Sequence, residues 1–167
     1  MEDQEAAAGP TGLPLTVQWR TGTVRLIDQR RLPAELRFVD ASTVEEICDA
    51  IRQLAIRGAP ALGVAGAMGV ALAAHRGEDL ADAAARLIAT RPTAVNLRWG
   101  VERALQAADP VKEAIAVAAE DSFRNRTLGR LGNETLVDPD TNVDVTTGHC
   151  QIEHRFASAI HQVACDI

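Results

Sequence analysis

At 167 residues the chain is long enough for one domain with a real core, or for one domain and part of a second. A hydrophobic fraction of 47% excludes a disordered chain, and the net charge of −6, from 17 Lys and Arg against 23 Asp and Glu, argues against a general nucleic-acid or anionic-membrane binder. The three cysteines lack a metal-ligand spacing and Met1 is not followed by a basic-then-apolar leader, which points to a reducing cytoplasm; an aromatic content of 3% without tyrosine removes any case for base-stacking platforms.

Residues 1–14 are rich in Ala, Gly, Pro and acid and read as a disordered leader. Leu15, Val17 and Trp19 alternate with Thr16 and Gln18, and Val24, Leu26 and Asp28 alternate with Arg25 and Ile27. Thr21-Gly22 lies between the two runs, so a β-hairpin is expected. Leu36–Val39 reads as a third strand, and Asp28-Gln29-Arg30 as a solvated strand end. Ser42, followed three residues later by Glu45, carries the capping-box signal of a helix start. Val44, Ile47, Cys48, Ile51 and Ala55 then fall on one face, which makes Cys48 a small core residue rather than a nucleophile.

Ile56 to Ala74 organises the chain. Nothing from Ala59 to Ala74 is charged, so no face prefers water and the helix belongs inside the protein, while it is too short and too Gly/Ala-rich to span a bilayer. Gly63, Gly66 and Gly69 recur every third residue and let a neighbour pack against the backbone. Pro60 suits the first helical position. The N–H groups around Gly58 and Ala59, with the helix dipole behind them and Arg57 beside them, form a place for a phosphate or carboxylate. The alternative is an ordinary loop with a solvated Arg57. Gly77 ends this segment, Glu78-Asp79 open the next helix, and Leu80, Ala84, Leu87 and Ile88 form its buried side.

Thr90-Arg91-Pro92-Thr93-Ala94 repeats the device, an arginine beside a proline at a helix start, so two arginine-bearing helix ends can converge on one anion; the same residues also make a plain helix entry. Val95, Leu97, Val101, Ala104 and Leu105 continue as a helix, and Asn96 is either a site residue or a solvent-facing one. A long Ala-rich helix runs from Val111 to about Leu131, with Ile115, Ala118, Ala119, Ser122 and Phe123 at helical spacing and Glu120, Asp121, Arg124 and Arg126 as a solvated charged face. Further on, Val143 and Val145 begin a short strand before His149-Cys150. Adjacent strand side chains point to opposite faces, and His149, His154 and His161 make no zinc spacing, so no metal is expected.

Three segments, Leu26-Ile27-Asp28-Gln29-Arg30-Arg31-Leu32-Pro33, Ala55 to Ala65 and Thr90 to Leu97, together resemble the N-terminal half of the methylthioribose-1-phosphate isomerases. That family lies in the superfamily of ribose-1,5-bisphosphate isomerase and the regulatory subunits of translation initiation factor 2B. The resemblance implies that Arg57, Gly58, Ala59 and Arg91 bind the substrate phosphate. It also implies conversion of an aldose 1-phosphate to a ketose 1-phosphate in methionine salvage, without cofactor, by a cytoplasmic enzyme whose intact form is a homodimer. His149-Cys150 aligns with the family's His-Cys, making Cys150 the candidate catalytic cysteine, although Gln151 stands where the family has Asn. The family's Asp general acid, in its second domain, has no matching position here.

The expected architecture is α+β: an antiparallel β element and a helical domain over residues 15–131, followed at 132–167 by only the beginning of an α/β domain. The expected function is an isomerase homologue, truncated and impaired as an isolated chain. The alternatives are a non-catalytic binding or assembly protein of the same superfamily and a ribose-1,5-bisphosphate isomerase-like protein.

Overall fold

A computed structural model describes residues 14–136, with side chains to residue 128. The chain divides into two compact units, residues 1–121 and 122–167. The expected leader and the segment around Val143, Val145 and Cys150 lie outside the described residues, as does nearly all of the expected α/β beginning. Among the described residues the order is β1 (Val17–Arg20), β2 (Thr23–Ile27), β3 (Phe38–Ala41), α1 (Val44–Arg52), α2 (Ala59–Arg76), α3 (Leu80–Thr90), α4 (Val95–Leu105) and α5 (Pro110–Leu136). Strands and helices are thus both present, in an α+β arrangement, and no helix among the described residues is long and apolar enough to cross a membrane.

The three strands form an antiparallel sheet in the order β1-β2-β3. The hairpin pairs Val17 with Leu26 and Trp19 with Val24, in the register the alternation predicts. Its turn is closed at Gly22, whose φ of 84° is open to glycine and strained for other residues. The third strand lies two residues later than expected, with Val39 opposite Leu26 and Ala41 opposite Val24. Val17, Val24, Leu26 and Ala41 form the buried side of this sheet, against Val44, Ile47, Cys48 and Ile51 of α1 and the middle of α2.

The cap of α1 is displaced by one residue from the Ser42/Glu45 expectation. Thr43 is the N-cap, its side chain accepting from the Glu46 N–H while the Glu46 carboxylate accepts from the Thr43 N–H. Both Ser42 and Thr43 are capping residues with an acid three positions on, and Ser42 N–H also donates to Glu46. Cys48 is buried as expected; burial pushes its thiol up to about 11, which leaves it protonated and unreactive at neutral pH.

α2 fills the centre, with every residue from Leu62 to Ala73 buried. Its glycines are where neighbours approach. A Cβ on Gly63 would sit 3.2 Å from the Asn96 carbonyl oxygen, and one on Gly66 would sit 2.8 Å from that of Leu97, so α4 lies directly on the α2 backbone. At Gly69 the neighbour is Leu87 of α3. Gly77 in the left-handed conformation ends the helix, and Asp79 caps α3 by accepting from the Asp82 N–H.

α5 seats a different stripe from the expected one. Ala114 and Val117 are buried, with Val111 and Ala118 partly so, whereas Ile115 is 46% exposed. Nor is Glu120 part of a simply solvated charged face: it takes both ends of the Arg103 guanidinium at 2.6 and 2.7 Å, while Arg103 Nε reaches Glu113 at 2.6 Å. These ion pairs tie α4 to α5, and Arg103 also lies over the ring of Trp99, one turn back on its own helix.

Candidate functional site

Helix N-termini differ in how their free N–H groups are satisfied, and the difference sorts the helices of this protein. α1, α3 and α5 each begin with a side-chain acceptor on a backbone N–H, from Thr43, Asp79 and Asp109, and each carries acid in its first turn. α2 and α4 have neither: their N-caps, Gly58 and Ala94, make no side-chain bond and their first turns hold no acid. These two bare ends border the same cavity. Its volume is about 360 Å³, and it is lined by Gly58, Ala59 and Leu62 of the α2 start and by Arg91, Thr93, Ala94, Val95 and Asn96 at the α4 start.

The α2 side follows from local sequence. Gly58 sits at φ 90°, ψ 136°, a conformation essentially reserved for glycine. A Cβ there would meet nothing within 4 Å, so the backbone angle, not crowding, requires the glycine. Pro60 occupies the second helical position rather than the first and removes an N–H there, leaving Ala59 and Ala61 to present theirs. The first intrahelical bond runs from Leu62 N–H to the Gly58 carbonyl.

Arg91, expected beside a proline at a helix start, is the C-cap of α3, at φ −148°, ψ 81°, and α4 begins only after Ala94. Pro92 explains this: a residue preceding proline is driven out of the helical region into extended backbone, so α3 stops there. The chain then turns through Pro92 and Thr93, closed by the Ala94 N–H on the Arg91 carbonyl at 2.9 Å, before α4 begins. Arg91 nonetheless lines the cavity. Its guanidinium has no carboxylate partner among the described residues.

Arg57 takes a different position from the other three phosphate-site candidates. Gly58, Ala59 and Arg91 line the cavity, whereas the Arg57 side chain does not; its Nη2 donates to the Gln29 carbonyl at 2.8 Å. Gln29 returns the bond, its Nε2 donating to the Arg57 carbonyl at 3.2 Å. Arg57 also lacks a carboxylate partner among the described residues. Cys150, the candidate catalytic cysteine, lies outside them. No three His, Cys, Asp or Glu among the described residues are grouped to hold a metal ion.

The sequence reading missed the hold of Gln29 on Arg57 and the cavity position of Thr93, and left Asn96 undecided. Asp28-Gln29-Arg30 is not a solvated strand end. Asp28 is only 2% exposed, and Arg30 clasps it in a two-pronged pair at 2.7 Å on each oxygen. That pairing outweighs burial and holds the Asp28 carboxyl down at about 2. Its contribution to stability is therefore complete above the ordinary carboxylate range and is lost as pH falls through about 2. Asp28→Asn is expected to lose roughly 2 kcal/mol at pH 7, the worth of a charge-assisted pair, with the gap to wild type closing toward pH 2. Urea denaturation of both chains across that range measures it; a pH-independent gap contradicts the assignment.

With this geometry in place, the comparisons with known proteins are decisive. The model of the initiation factor 2 subunit family matches residues 55–153, a span that contains both helix ends of the cavity. The chain belongs to the initiation factor 2 subunit family. Among family relatives, the chain is 45% identical over 121 residues to a methylthioribose-1-phosphate isomerase of Anaeromyxobacter sp. (strain Fw109-5), which covers 68% of this chain and 36% of the relative. Two crystal structures share the fold. One is titled translation initiation factor eIF-2B, subunit delta, from A. fulgidus, with 42% identity and a TM-score of 0.64, covering 74% of this chain and 42% of that one. The other is titled 5-methylthioribose 1-phosphate isomerase from Pyrococcus horikoshii OT3, with 33% identity and a TM-score of 0.66, covering 78% of this chain and 44% of that one. The chain spans about two-fifths of the length of the curated relatives it matches.

Proposed function

We propose that this chain is an aldose-ketose isomerase homologue that holds the phosphate of methylthioribose 1-phosphate, in the cytoplasm and in a homodimeric assembly. The observation that carries the reading is the meeting of two uncapped, acid-free helix ends at one cavity that Arg91 lines, with Arg57 next in sequence to the Gly58 that also lines it. A phosphate there accepts from free backbone N–H groups, is favoured by two helix dipoles and draws a charge-assisted bond from Arg91. Gly58 and Ala59 contribute backbone, Arg57 and Arg91 contribute charge.

In the substrate the anomeric oxygen carries the phosphate, so the ring does not open as a free sugar does. Ring opening has to be assisted, after which a hydrogen moves from C2 to C1 and the phosphate stays on C1. Anchoring the phosphate fixes C1 and C2 relative to the groups that move the proton. Cys150 is the candidate for that chemistry. The second reading, binding without turnover, draws on the 42% identity to the chain titled as a translation initiation factor subunit.

The test is incubation of the purified chain with methylthioribose 1-phosphate, followed by phosphorus NMR. Saturable binding competed by inorganic phosphate, with conversion to the ketose 1-phosphate that disappears in Cys150→Ala, is the expected result. Binding without conversion assigns the second reading. Affinity for the dephosphorylated sugar equal to that for the phosphate ester removes the phosphate site and both readings with it.

A further inference from the structure

The connector between α1 and α2 carries the Arg57 turn, and it is tied down at every second residue by one turn at the end of β2. Arg30 Nη1 donates to Gln53 Oε1 at 2.8 Å, the Gln29 N–H donates to the Ala55 carbonyl at 3.0 Å, and Gln29 and Arg57 exchange the reciprocal pair described above. The turn itself is fixed by the buried Asp28, whose backbone N–H donates to the Arg37 carbonyl at 2.8 Å and whose carboxylate also accepts the Arg30 N–H at 3.1 Å. Ala55 and Ile56 are buried, so the connector is anchored up to the residue before Arg57. Beyond that point Gln29 supplies the constraint.

A peptide plane makes this constraint directional. The Arg57 carbonyl and the Gly58 N–H belong to one trans peptide, in which C=O and N–H point in opposite directions. Gln29 Nε2 on the Arg57 oxygen therefore turns the Gly58 N–H away from Gln29. At the same time the Gln29 carbonyl engages one Nη of Arg57, and Nε and Nη1 have no partner among the described residues. One residue thus sets both the backbone donor of Gly58, which lines the cavity, and the side-chain cation of the residue before it.

We propose that Gln29 is a positioning residue for the anion site: its carboxamide orients the Arg57–Gly58 peptide and its carbonyl steadies the Arg57 guanidinium, so that both address the same bound anion. This rests on the phosphate-site reading above. It gives the β2 turn a role in ligand affinity in addition to its role in the fold.

The experiment uses the full chain and sulfate as probe, following the Gly58 and Ala59 amide resonances in Gln29→Met, which keeps length and removes the donor, and in Gln29→Glu, which places a carboxylate beside Arg57. Sulfate affinity is expected to fall about tenfold in Gln29→Met, the worth of one hydrogen bond to an ordered donor, and further in Gln29→Glu. The extra loss in Gln29→Glu is expected to vanish when Arg57→Ala is combined with it, because the carboxylate then has no cation to divert; a purely architectural role does not produce that dependence. Wild-type affinity in both variants overturns the positioning role and leaves the phosphate site standing. Equal losses in both variants that persist with Arg57→Ala make Gln29 architectural and overturn it too. Amides that do not respond to sulfate in the wild-type chain overturn the site itself, and the positioning role with it.

Discussion

Gly100→Ala is expected to lower stability by roughly 3 kcal/mol, the upper part of the range for over-packing a core, and to weaken anion binding along with it. A Cβ at Gly100 would fall against the Gly63 carbonyl, with the Gly63 carbonyl carbon 2.7 Å away and its Cα 3.0 Å away. All three atoms are backbone inside the buried part of α2, so no side-chain rotation relieves the overlap. Relief requires α4 to move off α2, and that pair is the most extensive helix–helix contact among the described residues. The same movement pulls the Ala94 end of α4 away from the Gly58 end of α2, which are the two sides of the cavity. Gly58→Ala is the instructive contrast. There the added methyl has open space, and the cost, about 1–3 kcal/mol, comes from the backbone conformation at φ 90°, ψ 136° alone. Urea midpoints for the two variants separate the mechanisms, and a Gly100→Ala chain as stable as wild type would show that the two helices are not in backbone contact.

These contrasts also show what was readable beforehand. The hairpin was legible because Val17, Trp19, Val24 and Leu26 alternate with polar residues around a glycine turn, and strand pairing follows directly from that period. α2 was legible because an uncharged run has nowhere to go but inside. What presses on it was not, since Gly63 and Gly66 announce a close neighbour without naming it. The Ser42 and Thr43 alternatives for the α1 cap differ by one residue and satisfy the same pattern, so only backbone geometry separates them. The stripe of α5 was misread because alanines fill much of its circumference, leaving periodicity too weak to choose between Ile115 and Ala114 as the inward residue. At the site, Gly58, Ala59 and Arg91 were found through their proximity to Pro60 and Pro92. The absence of side-chain caps on α2 and α4 was not read, because it depends on knowing that Gly58 and Ala94 are the residues at which those helices begin. The Gln29–Arg57 pair spans 28 residues of sequence and is set by the end of the sheet, which no local pattern encodes.

Removing both arginines is expected to reduce phosphate affinity about a hundredfold or more, the largest loss available at the site, with each single alanine variant losing about tenfold. The expectation follows from what remains. Arg57→Ala takes away the cation of the residue preceding Gly58 but leaves the Gly58 and Ala59 backbone in place, and Arg91→Ala removes a cation that lines the cavity. With both gone, only backbone N–H groups and helix dipoles address the anion, and these are individually weak in an exposed setting. The cavity lies at residues open to solvent, Val95 being 77% exposed, so added salt screens both charges and should reduce wild-type affinity more steeply than that of the double variant. Arg91→Lys should recover only part of the loss, because an ammonium supplies charge without the planar pair of donors. Calorimetric titration of inorganic phosphate into the five chains, at low and at physiological salt, measures every one of these differences. If Arg91→Ala binds as wild type does while Arg57→Ala does not, the two helix ends do not share a ligand, and the phosphate belongs to the α2 turn alone.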